Sequence, residues 1–327
     1  MKACVDIGGT KVAVTLAQAL LSGGTGDQIL LTTRVSEPTV KTGASDALAR
    51  QVLRLIDEAT ALAQAQGITV TPLTVVGVSS CGPFVLNQGQ VELVSPNICG
   101  GLAGPALSPP NNWRSAPLEA PLREALQART PHIAVKVRVE NDGVAALEAE
   151  RHWGALKGLD HCAYVTWSTG VGVGLCVGGQ VLRGKNGNAG HAGHTFVSDD
   201  DTKALCGCGN RGDVEGLAGG NAIHRRFGQD AQTLLTQAAA GDLEALANVD
   251  ALCRVVGRLI YNLVVTLDLQ AVSMGGSVFW HNQTLLLPRL RAQVDGKLPT
   301  LTQGFCLVPA GLGLQLGDYA ALALVSE

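Results

Sequence analysis

No sign of charge dominates this chain. Its 24 Lys and Arg residues face 27 Asp and Glu, for a net charge of −3. Without a basic field there is nothing to hold the phosphate backbone of a nucleic acid. No Lys/Arg-rich tail supplies one locally. The sequence also lacks an apolar run long and charge-free enough to span a bilayer. Met1-Lys2-Ala3-Cys4-Val5-Asp6 enters a strand at once, with no charged leader before an apolar signal core, so a cytoplasmic protein is expected. A disulfide framework is missing too. The nine cysteines are odd in number and scattered. Cys4, Cys162, Cys176 and Cys253 lie in apolar runs, where a thiol packs as a small core residue. That usage fits a reducing compartment.

What the chain does have is apolar bulk and glycine. Apolar types make up 46% of 327 residues, enough for a sizeable core, and the length favours two domains. The 41 glycines cluster at turns. Residues 3–7 and 11–17 read as short strands joined by Gly8-Gly9-Thr10. Two glycines there let a ligand approach the backbone amides, and Asp6 sets a carboxylate at the rim. The turn is either a plain hairpin or a phosphate loop; it is too short for a Walker A motif. Ser45 to Gln66 reads as a helix, with Ser45 as N-cap, Gly67 as stop and Leu48, Val52, Leu55 and Ile56 at helical spacing. Residues 73–79 read as a buried strand ending at Cys81-Gly82-Pro83. The Pro-, Gly- and Asn-rich stretch 95–114 has no periodicity, and Asn97 in it is either a polar contact or a turn residue.

Val135 to Val139 alternates as a strand and runs into Glu140-Asn141-Asp142, after which a helix is predicted to about Trp153. Asp142 therefore sits at the carboxyl end of a strand, where open α/β sheets bind ligands. A carboxylate there can take a proton from a bound hydroxyl. Asn141 or Asp142 can equally serve as the helix cap. A strand over 161–167, a glycine turn from Ser168 to Gly174 and a strand to Val177 repeat the N-terminal pattern. The repeat predicts two related halves facing each other, one turn from each gripping a polyphosphate. His191, His194, Cys206, Cys208 and Asp213 follow closely, as a structural zinc site or as thiols in a turn. Helices are expected over Glu215–Arg226, 251–267 and 317–324. A strand over 270–274 ends in Gly275-Gly276-Ser277, where a flat ring can lie on backbone.

In order and spacing, Asp6 to Lys11, Glu140 to Asp142, Ser168 to Gly172, Ala189 to His194, Cys206 to Gly209 and Gly275-Gly276 resemble the ROK family (repressor, open reading frame, kinase). The resemblance covers nearly the whole chain. It implies an α/β fold of two ribonuclease-H-like, actin-like ATPase domains around a central cleft. Residues 1–140 would form a small N-terminal domain and 141–327 a large C-terminal one, with the closing helix near 317–327 packing back on the first. It implies transfer of the γ-phosphoryl of ATP to a hexose hydroxyl, with Mg2+. In that reading Asp142 takes the hydroxyl proton. Gly8, Gly9, Thr10 and Lys11 hold the phosphates from one side, Thr169 and Gly170 from the other. Asp6 orients magnesium through water, and Gly275 and Gly276 lie by the adenosine. Gly82, Asn97, Asn141, His191, His194 and Glu215 line the sugar pocket beside Asp142. His194, Cys206, Cys208 and Asp213 would hold structural Zn2+. Such a protein works by positioning and charge neutralisation.

Two residues depart from the family pattern. The family has Glu where this chain has His191, and that Glu accepts two sugar hydroxyls; a neutral imidazole offers one acceptor and one donor. Bacterial N-acetylmannosamine kinases are similar to this chain in carrying His. The family has a third Cys where this chain has Asp213. The resemblance puts the 6-hydroxyl of glucose first as acceptor, with N-acetylmannosamine or N-acetylglucosamine as the alternative. A sugar-sensing regulator comes third, since its helix-turn-helix would precede the first glycine turn and Asp6 leaves it no room. A homodimer or homotetramer is expected, with no nucleic-acid or membrane partner.

Overall fold

The computed structural model describes residues 1–20, 28–104, 107–199 and 204–326. The first part builds β1 (Lys2–Ile7), β2 (Lys11–Leu20), β3 (Gln28–Pro38), α1 (Ala47–Ala65), β4 (Val75–Ser80), β5 (Phe84–Asn87), β6 (Gln90–Leu93), β7 (Ala116–Pro117), α2 (Glu119–Arg129) and β8 (Lys136–Asn141). Its main sheet has the order β3-β2-β1-β4-β8, with β1 antiparallel to β2 and parallel to β4. β5, β6 and β7 form a separate small sheet. Leu48, Val52, Leu55, Ile56 and Ala59 give α1 one fully buried face against the first core. Burying each larger side chain there contributes about 1.5–3 kcal/mol. α1 starts one residue later than its sequence suggests. Ala47 N–H bonds Ala44 O, so residues 44–46 close a turn, and Asp46 rather than Ser45 holds the cap position. The stop at Gly67 is as expected, with φ +76°.

Helix α3 (Asp142–His152) leads into the second part. There follow β9 (Cys162–Trp167), β10 (Val171–Val177), β11 (Gln180–Val181), α4 (Val214–Ala218), α5 (Gly220–Phe227), α6 (Ala231–Ala239), α7 (Leu243–Leu267), β12 (Ala271–Gly275), α8 (Ser277–Trp280), α9 (Gln283–Val294), α10 (Pro299–Thr302), β13 (Cys306–Pro309) and α11 (Leu316–Ala323). The second sheet has the order β11-β10-β9-β12-β13. Again three strands, β9, β10 and β11, are antiparallel neighbours, and β12 and β13 join β9 in parallel. The two sheets are one topology used twice, as the repeated strand–turn–strand pattern predicted.

Three expectations need correction. The second glycine turn is short: Gly172 and Gly174 lie inside β10, not in the turn. They are needed there because a Cβ on Gly174 would come 2.2 Å from Gly143 O, so bare backbone lets α3 settle on the strand. The helix expected over Glu215–Arg226 is broken into α4 and α5 by Gly219, whose ψ is 150°. Gly219 and Gly220 pass so close to the Ser168–Thr169 turn that a Cβ on either would lie within 3.0 Å of a turn carbonyl. Finally, α7 begins at Leu243, well before residue 251, with Asp242 Oδ1 accepting from Ala245 N at 2.8 Å. Its first turns bury only Ala245 and Val249, too little apolar signal to read.

α11 returns to the first sheet. It packs on β1 and β4 as well as on α3. A Cβ on Gly77 of β4 would lie 2.5 Å from Ala321 O. Thr15 donates to Asp318 Oδ1 at 3.0 Å, and Arg34 pairs with the same carboxylate.

Candidate active site

Strand β8 ends at Asn141, which is buried and extended, and α3 starts at the next residue. Asn141 Oδ1 accepts from Gly143 N at 3.0 Å, so the amide caps the helix. Asp142 Oδ1 shares that N–H at 2.8 Å. Both readings of this stretch therefore hold, on neighbouring residues: Asn141 caps, and Asp142 faces a cleft. Burial pushes the Asp142 carboxyl up to about 6, with the charges of Asp6 and Glu215 adding to the rise and the Gly143 N–H opposing it. Asp6, at the end of β1, is also pushed up by burial, with Arg34 and Lys11 opposing.

The cleft has a volume of about 350 Å³. Asp6 and Asp142 line one part of it, with Tyr164, Thr166 and Ser168 from the edge of β9. Gly275, Gly276 and Ser277 line another, with Trp280, His281, Gly313 and Leu314. Gly276 has φ +86°, and a Cβ there would lie 2.4 Å from Trp167 O, so only glycine fits. The first hairpin turn is held from behind: Gly8 N donates to Lys11 O at 2.8 Å and Thr39 Oγ1 to Gly8 O at 2.7 Å. Asn97 abuts this turn, 3.1 Å from where a Gly9 Cβ would stand. The second turn is held by α5, whose Gly220 N donates to Ser168 O at 2.8 Å.

Gly82, Asn141 and His191 come together beside Asp142. A Cβ on Gly82 would lie 2.8 Å from His191 Nε2 and 3.0 Å from Asn141 Nδ2. Burial, then the neighbouring His194, push the His191 pKa down, which keeps its ring neutral at pH 7. Asn188, which sequence reasoning missed, ties this loop to β5: its side chain accepts from Phe84 N and donates to Phe84 O, both at 2.8 Å. Glu215 also contacts the second turn. Its Oε2 accepts from Val171 N at 3.0 Å, and a Cβ on Gly170 would lie 2.4 Å from that oxygen. Glu215 thus buttresses the second turn.

Cys206, Cys208, His194 and Asp213 offer ligand atoms all within 4.8 Å of one another. His194 Nδ1 lies 3.5 Å from both Cys206 Sγ and Asp213 Oδ2, and Cys208 Sγ lies 3.5 Å from Asp213 Oδ2. Tetrahedral zinc with bonds of about 2.0–2.3 Å needs ligand separations of about 3.3–3.8 Å, so the donor set fits. Asp213 Oδ1 meanwhile caps α4 through Gly216 N at 2.6 Å. Its other oxygen is the one turned to the group, and His194 faces the group with Nδ1. Sequence reasoning also missed Tyr164, Trp280, His281, Gly313 and Leu314. Only Trp280, four residues past Gly276, carried a usable signal.

The sequence pattern of the ROK family matches residues 2–327. An N-acetylmannosamine kinase from Citrobacter koseri is 34% identical over 281 residues, spanning 84% of this chain and 82% of its own. Among solved structures, a ROK hexokinase from Thermus thermophilus superposes with a TM-score of 0.67 at 29% identity, covering 99% of this chain and 97% of its own. A ROK glucokinase from Streptomyces griseus, in complex with glucose and AMPPNP, shares the fold with a TM-score of 0.67 at 24% identity, covering 98% of this chain and 97% of its own. With its doubled sheet and the actin-like ATPase fold, the chain belongs to the ROK family.

Proposed function

We propose that this chain is an ATP- and magnesium-dependent sugar kinase acting on the 6-hydroxyl of N-acetylmannosamine. The observation that carries the kinase reading is the placement of Asn141 and Asp142. One meets Gly82 and His191, the other opens on the large cleft, so the pair stands where an acceptor would meet a donor. With its pKa lifted to about 6, Asp142 is a stronger base than an ordinary carboxylate yet still ionised at pH 7. It takes the proton as the acceptor oxygen bonds to the γ-phosphorus, while the γ-phosphorus parts from the β–γ bridging oxygen and ADP leaves. The amides of Gly8, Gly9 and Thr10 with Lys11, and those of Thr169 and Gly170, hold the phosphates in line. Magnesium neutralises the phosphate charge when bound, and Asp6 is placed to orient it. Zinc in the His194 group is structural, because four protein ligands leave no open position. The two sheets correspond to domains 1–140 and 141–327, with α11 closing back on the first.

The acetamido sugar replaces glucose as the first choice for two reasons. Relatives 34% identical carry the name N-acetylmannosamine kinase. His191, buried and neutral, supplies one N–H donor where a Glu supplies none, and an acetamido carbonyl is its natural acceptor. A coupled assay with ATP on N-acetylmannosamine, N-acetylglucosamine and glucose should give the highest kcat/KM on N-acetylmannosamine. His191→Glu should then shift the ratio toward glucose by about tenfold, equivalent to about 1.4 kcal/mol. Equal changes on both sugars would remove His191 from specificity and leave the kinase reading standing.

A further inference from the structure

Past Asp142, helix α3 buries two further carboxylates, Glu148 and Glu150. A buried carboxylate is costly unless it is compensated, and these two are compensated differently. Glu150 is satisfied by backbone: Oε2 accepts from Ala155 N and Gly311 N, each at 2.9 Å, and Oε1 from Leu312 N at 3.0 Å. Glu148 is answered by side chains. Arg138 of β8 donates to its Oε1 at 3.2 Å, and Arg183 Nη2 donates to the same oxygen. Arg183 Nε also donates to Glu140 Oε1 at 2.6 Å, and Arg138 Nε lies 3.5 Å from that atom. Two buried carboxylates thus meet two guanidinium groups. Arg138 and Glu140 lie on β8, which ends at Asn141, and Glu148 lies on the helix that begins at Asp142. Of the four, only Arg183 comes from elsewhere, just past β11.

Arg183 stands at the base of the loop that carries His191. Its carbonyl accepts from Ala189 N at 3.0 Å, which closes residues 183–189 into a loop. Backbone bonds fasten both ends of that loop to β10: Leu182 N donates to Leu175 O at 2.8 Å, and Val173 N to Gly190 O at 3.1 Å. Asn188 fastens its far side to Phe84 of β5. The Arg183 guanidinium adds a link of another kind, to the strand and helix that carry Asn141 and Asp142. An ion cluster is a poor source of stability, since an apolar side chain in the same space does as well or better. What it supplies is direction. The donors of a guanidinium are fixed in one plane, so a fork that reaches two carboxylates on two elements sets where the arginine backbone stands.

We infer that Arg183 is a positioning residue for the sugar. Its fork, spread over Glu140 and Glu148, sets loop 183–191 against the junction of β8 and α3, and so sets where His191 stands beside Gly82, Asn141 and Asp142. The inference rests on the reading of that corner as the sugar site. The close fit there makes position matter: a single added carbon on Gly82 would lie 2.8 Å from His191 Nε2 and 3.0 Å from Asn141 Nδ2. A displacement of the loop by a fraction of an ångström therefore changes which sugar atoms His191 can reach.

The test uses Arg183→Lys and Arg183→Met, each alone and combined with His191→Ala. Lys keeps the charge and loses the fork; Met keeps an apolar stem and loses both. Steady-state kinetics give kcat and KM for N-acetylmannosamine and for ATP, and hydrogen exchange reads the Ala189 amide against the amides of α7. Arg183→Lys should raise KM for the sugar about tenfold, leave KM for ATP within about twofold and lower kcat by no more than about threefold. Arg183→Met should raise the sugar KM further. In both, the Ala189 amide should exchange about tenfold faster or more while α7 keeps its wild-type rates, which separates a loosened loop from a loosened fold. With His191→Ala already present, changing Arg183 should move the sugar KM by no more than about twofold, because the arginine acts through the histidine. The inference is overturned if Arg183→Lys leaves the sugar KM or the Ala189 exchange rate unchanged, if KM for ATP rises with that for the sugar, or if the losses at Arg183 and His191 multiply. A wild type that turns over no sugar would defeat the kinase reading, and the exchange rates would still decide whether Arg183 holds the loop.

Discussion

The two hairpin turns share a topology and differ in what they present. The first comes with acid: Asp6 ends β1, and Asp142 ends the segment two strands across in the same sheet. The second comes with hydroxyls: Thr166, at the matching place on β9, then Ser168 and Thr169. Their support differs too. A Cβ on Gly9 would meet the Asn97 side chain at a tight 3.1 Å, whereas one on Gly170 would overlap the Glu215 carboxylate at 2.4 Å. A duplicated fold has thus been divided by charge. Carboxylates line the cleft beside the first turn, and the hydroxyls of Thr166 and Ser168 line it beside the second.

That division can be broken most severely at Asp142. Asp142→Asn keeps the shape and removes the proton acceptor, so turnover should fall by roughly two to four orders of magnitude in a steady-state assay. Near-normal turnover would end the assignment. Next comes the same change made in both turns. Gly170→Ala sets a methyl 2.4 Å from Glu215 Oε2, while Gly9→Ala meets Asn97 Cβ at 3.1 Å. Gly170→Ala should cut kcat/KM for ATP by tens-fold and Gly9→Ala by only a few-fold, on the scale of about 1.4 kcal/mol per tenfold. Equal losses would mean the two supports do not differ in stiffness.

Acidity sharpens the comparison at a smaller scale. Asp142 must be ionised to accept a proton, so kcat should drop about tenfold per pH unit below about 6 and be flat above. The same raised pKa makes a stability statement. The folded state holds the proton more tightly than the unfolded one, whose carboxyl sits near its usual value of about 3.9. The stability it contributes is full below that value and lost as pH rises through about 6. Asp142→Asn should therefore melt higher than wild type at pH 8 and level with it at pH 3.5, as differential scanning fluorimetry can show. The smallest effect concerns the second half alone. Stripping metal with a chelator should lower Tm by several degrees and leave the sugar KM within about threefold. Asp213→Asn, which keeps the cap on α4 but weakens the ligand, should lose the response to added zinc.

Much of this molecule was legible because its chemistry sits at strand ends marked by glycine. Asp6, Asn141, Asp142, Thr169 and Gly276 all lie within two residues of a strand end, and each was readable from a short apolar run meeting a polar or glycine break. The break at Gly219 was hidden because helical periodicity continues across it; only the spatial neighbour, the Ser168 carbonyl, explains the kink. Leu314 was hidden because nothing in an apolar residue says it will end up facing solvent. Glu150 was hidden for the opposite reason. A Glu on a helix reads as solvated surface, and its three N–H donors come from residues 5 to 162 positions away.

One feature of the fold governs how the chain comes into being. The seat for α11 is built into the first strands: Gly77 is bare so that the Ala321 carbonyl can rest there, and Thr15 and Arg34 wait for Asp318. Those partners are separated by 244 to 303 residues of synthesis. At a ribosomal rate of about 5–20 residues per second, the first sheet spends tens of seconds with this groove uncovered. The N-terminal half is thus completed only when α11 has been made, long after its own strands. A chain cut short before Leu316 would present an open apolar groove to whatever chaperone or protease meets it first.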